Sequence, residues 1–314
     1  MNRGAAFLSA IALMASLGAC ASGPAPRMSD VRPSEPHWQD VFDTMPELFV
    51  VVRPRALRRD QVYGALLGRM IEVARQQSRV AAATRAFEAM EDADEIVVGI
   101  WFGSPNHPEE QVLVARGVPA ELDPAKLVDA HGQALWAPGP AGPVRELVRE
   151  RDDDGTPVNA SLFELPERTW IIASGGARTR IREVLAHPMN RPAIDIDRDA
   201  LAIVRLDGPS LVARAHPLQG TGGLAAIGRR LQSVTVVLPP GKDVSIHATL
   251  SYADEDAAAF AEIAIRETIA TVARTKPAGF AWLGAANVER PGTRVIITAP
   301  VPFSVDFPGS MRAP

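Results

Sequence analysis

Short runs of β-branched and apolar residues recur along this chain, mostly in pairs. Glu47-Leu-Phe-Val-Val-Val-Arg53 is the first. Glu95–Phe102 and Gln111–Gly117 follow, separated by the turn-rich segment Gly103-Ser-Pro-Asn-His-Pro108. Val144–Glu150, Ala160–Leu165 and Thr169–Ala173 form a set of three, and Leu201–Leu206 stands alone. Val234–Leu238 and Val244–Tyr252 flank Pro239-Pro-Gly-Lys242, and Ala281–Val288 precedes Thr293–Thr298. Runs of this length and composition, bounded by Gly, Pro, Asn or Asp, read as strands. Strands joined by short turns pair antiparallel, so the chain is expected to be α+β, not a doubly wound parallel sheet.

Helical signals lie between these runs. Asp60 caps a segment with Val62, Leu66, Met70 and Val73 on one face, continued by Val80, Ala83, Phe87 and Met90. Asp123-Pro124 opens a short helix that Gly132 closes. Ser174-Gly-Gly176 turns the chain into a helix over Ala177–Ala186, which stops before Pro188. In the second half a short helix covers Gly222–Leu231. Asp254 caps a long one that carries Phe260, Ile263, Glu267 and Ile269 to Val272. Each half therefore runs strand, helix, two strands, helix, two strands. Glu167-Arg-Thr-Trp-Ile-Ile-Ala173 also aligns with Pro291-Gly-Thr-Arg-Val-Ile-Ile-Thr298. The expectation is a duplicated unit of mainly antiparallel sheet with helices packed on one face, with units at 38–192 and 193–314. Two unrelated α+β domains would give the same order.

The N-terminus has a different character. Arg3 precedes an apolar stretch, Ala5–Leu17, broken only by Ser9 and Ser16. That length suits the h-region of a signal peptide and is too short for a stable membrane span. The segment ends Leu17-Gly18-Ala19-Cys20, which resembles the lipobox of bacterial lipoproteins. The resemblance covers residues 17–20 and their preceding apolar run. It implies that residues 1–19 are a signal peptide removed before Cys20, that Cys20 is lipidated, and that the chain is held on a membrane through it. Ala21 and Ser22 follow the Cys where inner-membrane lipoproteins typically carry Asp, which by resemblance favours the outer membrane. Cys20 is the only cysteine, so the chain makes no internal disulfide. Residues 21–36, with four prolines, read as an extended tether.

Composition bounds the partners. Charged residues make up 22% of the chain and the net charge is −4, which argues against a nucleic-acid surface. No P-loop, Gly-x-Ser-x-Gly elbow or His-Glu-x-x-His is present. The six histidines lack metal-ligand spacing, and neither a metal nor a cofactor is expected. Asp152-Asp-Asp-Gly155 begins like a calcium loop, but its twelfth position is Phe163. Arg53, Arg55, Arg58 and Arg59 form a basic cluster suited to anionic lipid or to a solvated rim.

Two places remain as candidate sites. Ser174, Gly175, Gly176 and Arg178 lie between a strand and a helix, where amides and the guanidinium suit an anion. Trp136 adjoins the loop Ala137-Pro-Gly-Pro-Ala-Gly-Pro143 and suits contact with a ligand or partner. The chain reads as a cell-envelope lipoprotein whose body binds an envelope protein or a cell-wall polymer without catalysis. The alternatives are an envelope hydrolase with an unfamiliar site and a periplasmic carrier of a hydrophobic ligand.

Overall fold

The apolar runs become antiparallel ladders. The computed structural model describes residues 37–60, 63–64, 92–103, 109–128, 132–151, 157–187, 194, 196–214, 227–240, 245–275 and 281–300. Cys20, the tether, most of the segment from Val62 to Met90, the loop 104–108, Asp152–Gly155 and residues 222–226 lie outside them. The described residues carry twelve strands in two compact units, which meet in sequence between Arg198 and Asp199. The fold is mainly antiparallel sheet with helices, as the strand runs require.

The first unit contains β1 (Leu48–Val52), β2 (Glu95–Trp101), β3 (Glu110–Arg116), β4 (Ala137–Pro138), β5 (Arg145–Arg151), β6 (Pro157–Leu165) and β7 (Thr169–Ser174). Their order is β1-β2-β3-β7-β6-β5-β4, antiparallel throughout. Val51, Val97, Val114, Ile171 and Phe163 lie in register across five strands, and each is at most 1% exposed. Side chains alternate faces along a strand, so this row defines one buried face. Helix α2 (Ala177–Ala186) covers it with Ala177, Ile181, Val184 and Leu185. The opposite face carries Ala115, Trp170, Leu162 and Leu147, on which Val118, Leu135 and Trp136 pack. This end of the sheet is therefore covered on both faces, by a helix on one and by the segment 118–136 on the other.

Some local readings change. Helix α1 (Pro54–Arg59) was not anticipated; Pro54 opens its first turn, where a missing amide hydrogen costs nothing. Asp60 does act as a cap, since its Oδ1 accepts the Tyr63 amide at 3.0 Å. Asp123 caps only a single 3-10 turn, Pro124–Lys126. The chain then turns back so that the Leu135 amide donates to the Leu127 carbonyl at 2.8 Å, which ends any helix. The arginine cluster is largely engaged by acids of the same unit. Arg53 and Arg116 both bind the buried Glu95, Arg55 binds Asp94, and Arg58 binds Asp92.

The second unit contains β8 (Ala202–Asp207), helix α3 (Gly208–Arg214), β9 (Leu231–Leu238), β10 (Ser245–Tyr252), helix α4 (Glu255–Thr275), β11 (Asn287–Glu289) and β12 (Arg294–Pro300). Their order is β8-β9-β10-β12-β11, again antiparallel. Asp254 caps α4 through its Oδ1, which accepts the Ala257 amide at 2.8 Å. Two expectations fail here, and one element is new. Leu231 is not a helix end but the first residue of β9, because its buried side chain joins the cluster of Leu250, Tyr252 and Val295. Helix α3 was not foreseen. Residues 281–285 form a 3-10 helix instead of a strand, leaving only Asn287–Glu289 to pair with β12.

Helix α4 packs on its sheet through alanines. Ala257, Ala258, Ala261, Ala264 and Ile265 are buried, and all but Ala264 join Leu231, Leu250, Tyr252, Val288 and Val295 in one cluster. Phe260 and Ile263 point outward and are 59% and 58% exposed. Alanine lets the helix approach the sheet closely, and apart from Ile265 the larger buried side chains come from the strands.

Candidate functional site

The turn from β7 into α2 opens a network of ion pairs in the first unit. Gly175 has φ +63, a conformation that glycine adopts without strain. Gly176 precedes the helix, and a Cβ there would lie 2.8 Å from Oε1 of Glu110. A carboxylate of this chain thus stands beside the helix N-terminus, where the peptide dipoles favour negative charge. Arg178 is also engaged within the chain. Its Nε donates to Ser161 Oγ at 3.0 Å and its Nη2 to Glu150 Oε1 at 3.3 Å. Ser174 ends β7 and Gly175 and Gly176 make the turn, while the Arg178 side chain is directed to Ser161 and Glu150, so an anion at this turn would have to compete with Glu110 and Glu150.

The next arginines of α2 extend the network. Arg180 donates from Nη1 to the Val41 carbonyl at 2.9 Å and to Asp43 Oδ1 at 2.5 Å. Its Nε binds Glu110 Oε2 at 3.1 Å, and its guanidinium lies 4.3 Å from the Trp101 ring centre. Arg182 grips Glu146 with Nε at 2.9 Å and Nη2 at 2.6 Å. Glu146 is 7% exposed and sits on the inward face of β5. Its Oε1 also accepts from Ser161 Oγ at 2.6 Å. Burial pushes the Glu146 carboxyl upward, but the bonds from Arg182 and Ser161 and the charges of Arg182 and Arg178 outweigh it, so its pKa lies below the usual range. Arg182 is correspondingly held more firmly protonated.

Trp136 occupies the other side of the same sheet edge. Its ring is 8% exposed and packs in the cluster of Leu135, Leu147, Leu162 and Trp170. A sugar therefore has no open ring face on which to stack. Trp136 also lines a shallow depression of about 610 Å³, together with Ala125, Ala134, Pro138, Pro140 and Pro143. The loop lies close on β5 because Gly139 has no side chain; a Cβ there would meet the Glu146 carbonyl at 3.0 Å. Strand β4, only two residues long and containing Pro138, is the end of the ladder.

The second unit carries one polar cluster that sequence reasoning missed. Ser245 Oγ and His247 Nε2 lie 2.9 Å apart, two residues apart on one face of β10. His247 Nδ1 faces Thr298 Oγ1 at 3.4 Å, across the pair His247↔Thr298. Among the described residues a hydroxyl, that of Thr298, and not a carboxylate stands behind the imidazole, where a hydrolytic triad has an acid that orients the base. The signal available in the sequence was Ser-x-His on a strand, which places both side chains on one face. Among the described residues no cluster of three or more His, Cys, Asp and Glu could hold a metal ion. No helix of the described residues is long and apolar enough to cross a membrane.

No protein-family model matches this chain, and no curated protein sequence matches it. A solved structure, crystal form I of TP0453, is similar over 87% of this chain and 93% of that one, at 12% identity and a TM-score of 0.48. A likeness so distant defines neither a family nor an activity.

Proposed function

We propose that this chain is a membrane-anchored lipoprotein of the bacterial cell envelope whose body serves as a binding module. The observation that carries the reading is Cys20, the sole cysteine, at the end of Leu17-Gly18-Ala19-Cys20 and directly after an apolar run. Lipidation gives an unpaired exported thiol a use. Each buried methylene of an acyl chain contributes about 0.8 kcal/mol, so two or three chains anchor a protein almost permanently. Ala21 and Ser22 favour the outer membrane, and the proline-rich segment 21–36 sets the reach of the body.

The depression at Trp136 is the surface we assign to binding. It is open and is lined mainly by the proline- and glycine-rich loop 137–143, with Trp136 and Leu147 beside it. That shape suits contact with a folded protein or an extended wall polymer better than enclosure of a small substrate. We also read the body as a duplication. In support, β1-β2-β3-β7-β6 and β8-β9-β10-β12-β11 follow one plan: a strand, a hairpin, and a second pair whose last strand docks on the hairpin. The aligned segments 167–173 and 291–298 contribute to β7 and β12, equivalent strands in that plan.

Cell fractionation tests the anchor. Cys20→Ala should move the protein from the membrane to the soluble fraction, and a variant that stays with the membrane would overturn the reading. A pull-down from native envelopes tests the depression. A stoichiometric partner lost on Pro140→Arg, with circular dichroism unchanged, would support it; a partner retained by that variant would move binding elsewhere.

A further inference from the structure

Helix α4 turns more apolar surface outward than a solvated helix requires. Phe260 and Ile263 belong to a regular stripe of exposed positions: Asp256, Phe260, Ile263, Glu267, Ala270 and Arg274. Their spacing alternates four, three, four, three, four, the three–four alternation that keeps the positions on one side of the helix and lets them face one partner helix. The chemistry along the stripe complements itself in reverse. Turned antiparallel about residue 265, Asp256 meets the partner's Arg274, Phe260 meets the partner's Ala270, and Ile263 lies on the partner's Glu267. Opposite charges face each other at both ends, and a large side chain faces a small one.

We propose that α4 is a self-association surface, through which two copies of this chain pair antiparallel about a two-fold axis. Such an interface is isologous, so every contact is made twice. A parallel pair would instead set Asp256, Glu267 and Arg274 each against its own copy, three like-charge contacts. A lipid surface fits less well, because helices lying on membranes carry Lys and Arg on the polar face, whereas this stripe contains Asp256 and Glu267.

Sedimentation of the purified full chain in non-ionic detergent tests the pairing. A dimer is expected. Asp256→Arg alone, or Arg274→Asp alone, should weaken it on the order of tenfold, since two attractive pairs become two repulsive ones. The two substitutions together should restore it. Under oxidation, a chain carrying both Phe260→Cys and Ala270→Cys should give a disulfide-linked dimer, and Phe260→Cys alone should not. Those positions are about 15 Å apart on one helix and cannot join within a chain. The unsubstituted chain, run beside them, accounts for any bridge through Cys20. A monomer at micromolar concentration, failure of the double swap to restore pairing, or bridging by Phe260→Cys alone would overturn the proposal. So would a monomer whose α4 gains hydrogen-exchange protection only when phospholipid is added, which would assign the stripe to a lipid surface.

Discussion

Helices α2 and α4 do the same job by different chemistry. Each covers one face of an antiparallel sheet. Helix α4 seats four alanines and Ile265 against its sheet, and one ion pair, Glu262 with Arg290, links it to the turn between β11 and β12. Helix α2 buries Ala177, Ile181, Val184 and Leu185, and is also tied down by Arg178, Arg180 and Arg182. Close packing depends on volume, whereas ion pairs depend on charge state. The two helices should therefore fail under different perturbations.

The largest effect expected is at Glu146. Arg182→Met leaves a buried carboxylate with only Ser161 as a close partner, and should cost about 3 kcal/mol. Hydrogen exchange read peptide by peptide should show α2 opening while α4 keeps its protection. Equal loss in both helices would break the contrast. On the other side, Ala261 is fully buried under α4, and Ala261→Leu should cost about 2 kcal/mol by overpacking. That loss should be the same at low and high salt.

Acid should separate the helices further. The Glu146 pKa is depressed in the folded state, so its contribution is complete above the unfolded value, about 4.3, and is lost as pH falls through the folded value. Between about pH 5 and pH 3 the protection of α2 should fall before that of α4. Glu262 on α4, bound by Arg266 and Arg290, is also depressed, but it is only half-buried and its arginine partners are more open to solvent, which screens the pairs. The smallest effect concerns the turn before α2. Gly175→Ala must hold φ at +63 and should cost about 1 kcal/mol, measured by denaturant unfolding.

The fold was legible where the physics is local. β-branched apolar runs became strands within about three residues, most closely at Glu95–Trp101 and Ser245–Tyr252. Asp60, Asp123 and Asp254 cap as their positions imply. Residues 281–285 did not follow, because Ala-Trp-Leu-Gly-Ala is apolar without alternation and suits a strand or a helical turn equally. The candidate sites were legible only in part. The turn Ser174–Gly176 and the Trp136 loop are where the sequence placed them. What Arg178 and Trp136 face was not visible, since Ser161 precedes Arg178 by 17 residues and the Trp136 cluster gathers side chains from five separate segments.

By itself the amino-acid order determined strand and cap positions and the likeness of Leu17-Gly18-Ala19-Cys20 to a lipobox. These depend on neighbours within a few residues. Only the tertiary structure decided that Glu146 is buried between Arg182 and Ser161, that Trp136 is packed into a core edge, and that Phe260 and Ile263 face outward. Each depends on which face of an element meets another, and on a helix with apolar residues on more than one side that choice belongs to the partner surface. On α4 the sheet selected the alanines, because they allow the closer approach.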